Sequence, residues 1–173
     1  MQRVLLTVIV VLLVAPNALA QSESLPLPSA DDLGPGWEAV PATPTTGDPD
    51  YPQAYQLFVG PNGSRLDLFV AAPPERIAET IWTQMASQLD ANDPELVFFP
   101  EHAAPNSPLI PGCSDVRRLW GKDLSFGVFP DAITACRTSE AILRIHVSGQ
   151  WQDLEGIEAS DALVELLLRT LNT

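Results

Sequence analysis

Tyr55-Gln56-Leu57-Phe58-Val59 and Arg65-Leu66-Asp67-Leu68-Phe69-Val70 alternate in side-chain character. Between them, Gly60-Pro61-Asn62-Gly63-Ser64 supplies turn residues, and the combination predicts a β-hairpin. The period then changes. From Pro73-Pro74-Glu75 to about Asp90, Ile77, Ile81, Met85 and Leu89 recur at four-residue steps beside Ala78, Trp82 and Ala86, which predicts a helix with one broad apolar face. Leu96-Val97-Phe98-Phe99 reads as a strand, followed by a long loop from Pro100 to Gly112. Asp115–Trp120, Ser125–Phe129, Ile133–Arg137 and Ile142–Ser148 read as a meander whose turns fall at Gly121-Lys122-Asp123, Pro130-Asp131 and Thr138-Ser139-Glu140. Its last strand puts Leu143, Ile145 and Val147 on one face and Arg144 and His146 on the other. Ser160 to Leu171 predicts a final helix with a serine cap, an early acid and a late arginine. The fold class is therefore α+β: an antiparallel β-sheet packed by two main helices.

The first twenty residues follow a different logic. Arg3 precedes an apolar run from Val4 to Ala15, Pro16 breaks it, and Ala18-Leu19-Ala20 offers a small-residue exit. That layout predicts a signal peptide over 1–20, too short to span a bilayer, with cleavage after Ala20 and no membrane anchor afterwards. The expected location is secreted, periplasmic or extracellular. Residues 21–53 are proline-rich and read as an extended lead-in, within which Ser29 caps a single helical turn, Gly34 stops it, and Trp37-Glu38-Ala39-Val40 forms a short strand. Residues 54–173 then form one α+β domain, with Trp37 as a core anchor.

Charge and cysteine narrow the function. With 22 acidic residues against nine Lys and Arg, and a net charge of −13, the chain repels phosphate backbones and anionic lipid heads, so nucleic acid is not an expected partner. Cys113 and Cys136 are the two cysteines, and in an exported protein they are expected to form a disulfide.

No catalytic motif stands out. Neither G-x-S-x-G nor S-x-x-K occurs, and His102 and His146 are the two histidines. The acidic pairs Asp48/Asp50 and Asp90/Asn92/Asp93/Glu95 do not reproduce a calcium loop, so no metal or cofactor is expected. Asn62-Gly63-Ser64 matches a glycosylation pattern that the turn already explains. The more suggestive grouping is cationic. Arg117, Arg118, Arg137 and Arg144 crowd into an otherwise acidic chain, and with the loop residue His102 they form the candidate site for a carboxylate or phosphate ligand.

The order of elements, together with Leu33-Gly34-Pro35-Gly36-Trp37 and the ending from Ile142 onward, resembles small exported bacterial domains of the sensor-type and lipoprotein-associated kind, some of them PsbP-like. The resemblance implies a binding role. The chain departs from the lipoproteins in having no anchoring cysteine after the leader. The reading is a non-catalytic module that binds a small ligand or an envelope protein. A carboxylate-dependent hydrolase and a structural or assembly partner are its rivals.

Overall fold

The computed structural model describes residues 25–41, 50–89, 109–122 and 130–172. It is an antiparallel α+β fold whose central sheet has six strands: β1 (Glu38–Val40), β2 (Gln53–Val59), β3 (Arg65–Ala71), β4 (Asp115–Lys122), β5 (Pro130–Arg137) and β6 (Ile142–Ser148). Their order across the sheet is β1-β2-β3-β6-β5-β4, so β3 and β6 are adjacent although helix α2 (Glu75–Gln88) and two strands separate them in sequence. The expected hairpin is β2–β3, closed by a short 3-10 turn over Pro61–Gly63 in which Asn62 has a positive φ of 59°.

Alternation along the strands gives the sheet two apolar faces. On one, Leu66, Leu68 and Val70 of β3 and Leu143, Ile145 and Val147 of β6 meet Ala159, Leu163, Val164 and Leu167 of the C-terminal helix α3 (Gly156–Leu171), all buried. On the other, Leu119, Ile133, Ala135 and Ile142 lie beneath Trp82 and Leu89 at the α2 end of the molecule. Helix α3 therefore packs on one face and α2 on the β4–β5 part of the other, where the strands carry apolar residues at both parities. The Trp82 indole Nε1 also donates to Asp115 Oδ2 at 3.0 Å, tying α2 to the edge strand β4.

Residues 25–41 of the lead-in pack into this core through Leu25, Leu27, Leu33 and Trp37. Ser29 caps the four-residue helix α1 (Ala30–Leu33) through a reciprocal capping box with Asp32. Leu33 and Trp37 are buried, and β1 pairs antiparallel with β2. A short hairpin, β7 (Gln150–Trp151) and β8 (Leu154–Glu155), turns through Gln152 and Asp153, both at positive φ. It buries Trp151, whose Nε1 donates to the Leu33 carbonyl at 3.0 Å. Cys113, just before β4, is joined to Cys136 of β5 with their Cα atoms 5.6 Å apart.

Three boundaries differ from expectation, the first being Gly121-Lys122, expected in a turn but paired with Asp131 and Pro130 as the end of β4. Ser160 does not cap α3: the helix begins at Gly156, and Ser160 lies fully buried on its inner stripe with Ala159, Leu163, Val164 and Leu167. The stripe extends one turn further back than the cap signal suggested. Pro130-Asp131 is not a turn but the start of β5, where proline at a strand's first position costs no ladder bond and Asp131 pairs in register with Gly121 and Ser148. The strands expected at Leu96–Phe99 and Ser125–Phe129, the leader, and most of the long loop lie outside the described residues.

Candidate functional site

The α2-bearing face can be written as rows of residues in register across the strands. One runs Val40, Leu57, Asp67, His146, Ile133, Leu119; the next runs Tyr55, Phe69, Arg144, Ala135, Arg117. Helix α2 occupies the β4–β5 side, over Leu119, Ile133 and Ala135. Polar and aromatic residues share the β2–β3–β6 side. His146 is at its centre.

His146 faces Asp67 directly across the β3–β6 pair, its Nδ1 3.5 Å from Asp67 Oδ2, and its Nε2 is 3.5 Å from Asp131 Oδ1 on β5. Asp67 collects further partners: Tyr55 Oη donates to its Oδ1 at 2.7 Å, and the Arg65 guanidinium lies 3.4 Å away. Tyr55 reaches it on the diagonal, since Leu57 is the residue directly opposite Asp67.

Burial and charge pull against each other in this cluster. Burial of the His146 ring opposes its charge, but attraction and hydrogen bonding to Asp131 and Asp67 outweigh that and push it up to about 9. Burial likewise works against ionised Asp67, yet hydrogen bonding to His146 and Tyr55 and the charges of Arg65 and His146 bring it down to about 2. Burial, then the Asp67 carboxylate, raises the Tyr55 hydroxyl. At neutral pH the centre is thus an imidazolium between two carboxylates. Both His146 contacts, at 3.5 Å, are long for hydrogen bonds.

The four candidate arginines do not form one group. Arg118 points to the α3 face, where Asp161 accepts from its Nε at 2.8 Å and from its Nη2 at 2.8 Å and Thr134 Oγ1 also donates to Asp161. Arg117, Arg137 and Arg144 share the opposite face. Arg117 lies 3.2 Å from Asp115, and Arg137 is paired with Glu79 of α2. Ala135, buried beneath α2, separates Arg117 from Arg144 in their row. His102 lies outside the described residues.

Asp131 is legible in sequence only as a turn residue and as one of the acids that could compensate the arginines, and Asp67, Tyr55 and Arg65 only as hairpin residues. The available signal was an acid flanked by two inward leucines, Leu66-Asp67-Leu68, on the same parity scheme as His146 between Ile145 and Val147. Which outward residues meet depends on β3 pairing with β6, and that adjacency is not written in local pattern.

A groove of about 640 Å³ also runs between the start of α2 and the β5–β6 turn, lined by Glu75, Asp115, Arg137 and Glu140 among others. Among the described residues no group of three or more His, Cys, Asp and Glu side chains is placed to hold a metal ion, and no helix is long and apolar enough to cross a membrane. No protein-family model, characterised protein or solved structure matches this chain.

Proposed function

We propose that this protein is an exported, non-catalytic binding module that presents the β2–β3–β6 part of its sheet face to a small ligand. The observation that carries the reading is His146 held between Asp67 and Asp131. A general base at neutral pH must be able to take a proton, and an imidazole kept charged to about 9 already has one. A carboxylate-dependent hydrolase calls for an acid raised toward neutrality, whereas Asp67 is held down near 2. The cluster is suited to fixing a charged, rigid surface rather than to proton transfer.

Export is supported by the leader pattern over 1–20 and by the Cys113–Cys136 disulfide, a bond that persists in oxidising compartments. Native mass spectrometry of the protein purified from its own host tests both parts. The chain is expected to begin at Gln21 and to carry a small-molecule adduct that leaves on denaturation. A chain beginning at Met1 would remove the export, and a bare chain would remove the resident ligand.

A further inference from the structure

Most cations of the sheet are committed to a carboxylate. Arg65 is paired with Asp67, Arg117 with Asp115, Arg118 with Asp161, Arg137 with Glu79, and His146 with Asp67 and Asp131. Arg144, half-buried in the interior strand β6, has no carboxylate within ion-pair distance among the described residues. Its register neighbours are Phe69 and Ala135, neither of which accepts a hydrogen bond through its side chain. Further along the face, Asp67 and Asp131 are engaged by His146.

The surroundings of Arg144 are apolar on one side. Phe69 and Leu57 are half-buried and Tyr55 and Val59 are exposed at 39 % and 45 %, whereas the Asp67 and Asp131 side chains are only 10 % and 8 % exposed. Arg65, Arg144 and His146 set three cations against those two carboxylates, a local positive excess in a chain of net charge −13. Glu38, at the β1 edge of the face, lies three strands from β6.

Resting on the binding-module reading, we propose that this part of the face binds a small amphiphilic monocarboxylate, with the carboxylate on the Arg144 guanidinium and the apolar body over Phe69, Leu57 and Tyr55. A guanidinium presents a fork of donors that matches one carboxylate, and the flanking side chains supply apolar area. The remaining acidity of the chain disfavours a polyanion such as an acidic protein or nucleic acid, whereas a single carboxylate matches Arg144, the one arginine of the sheet without an ion pair among the described residues.

Isothermal titration calorimetry with dodecanoate, below its micellar range, and with dodecan-1-ol as the neutral counterpart tests the site. Dodecanoate is expected to bind saturably at one site and more tightly than the alcohol. Arg144→Ala should weaken it at least about tenfold, Arg144→Lys should weaken it less, and Arg117→Ala should leave it unchanged. If Arg144→Ala fails to fold, the lysine variant and the acid-against-alcohol comparison decide the question on folded protein. No saturable binding of dodecanoate, or equal binding of acid and alcohol, would overturn the site. Binding indifferent to Arg144 would overturn this site and leave the binding module standing, since that reading is decided by the resident adduct.

Discussion

Asp161 of α3 accepts from both Nε and Nη2 of Arg118 on β4, and this bidentate pair fastens the C-terminal helix across the edge of the sheet. The Arg118 side chain is 3 % exposed, so Asp161 pairs with a charge that is buried away from water. Removing one partner is therefore costly. Asp161→Ala is expected to lower stability by about 3 kcal/mol in a denaturant titration, whereas Arg118→Leu combined with Asp161→Leu should recover much of that loss. An equal loss in the single and double variants would show that burial of the charge is not what matters.

The His146 cluster makes stability depend on pH in a definite direction. The folded-state value near 9 lies above the ordinary 6.5 of an unfolded histidine, so the contribution is complete below about pH 6.5 and is lost as pH rises through 9. Its upper bound is about 3 kcal/mol, and the opposing change for Asp67 is confined to acid, between its ordinary 3.8 and about 2. Stability measured from pH 6 to pH 10 should fall, and His146→Leu should flatten that limb.

The same variant leaves Asp67 and Asp131 without the cation between them. It is expected to cost about 3 kcal/mol at pH 7 and to become more stable as pH falls from 7 to 5, because protonating one carboxylate relieves the repulsion. A variant whose stability is level across that range would remove the ion cluster from the account.

Much of this architecture is legible from periodicity, and what is missing has a common cause. Alternation in Tyr55–Val59 and Arg65–Val70 is enough for the hairpin, and the four-step spacing of Ile77, Ile81, Met85 and Leu89 is enough for α2, because each signal is local. Ser160 and Pro130-Asp131 were misleading for the opposite reason: their local preference for a cap and a turn is overridden by burial in the α3 stripe and by pairing across β5. The candidate site lies at the same limit. Arg117 and Arg118 are adjacent in sequence yet face opposite sides of the sheet, and His146 meets Asp67 only because strands distant in sequence are neighbours.

Gly60 offers a check on the docked lead-in. A Cβ there would lie 2.6 Å from the Trp37 ring, so Gly60→Ala must displace an anchor of the core. The expected loss is about 1–3 kcal/mol in thermal or denaturant unfolding, accompanied by a change in tryptophan fluorescence. An unperturbed variant would mean that Trp37 does not sit against the hairpin turn.

The Cys113–Cys136 bond closes a loop with a sequence separation of 23 residues, which in the chain-entropy model contributes about 3 kcal/mol. Reduction, or replacement of both cysteines by alanine, should lower the melting temperature accordingly. Equal melting with and without reductant would place the stabilisation elsewhere.

The most direct test of the central claim is an NMR titration of the His146 imidazole carbon-bound protons, assigned by comparison with His146→Leu. An imidazolium held between Asp67 and Asp131 is charged at neutral pH and titrates with a midpoint near 9. A midpoint close to 6.5 would mean that Asp67 and Asp131 do not hold an imidazolium, and would leave His146 able to act as a general base at neutral pH.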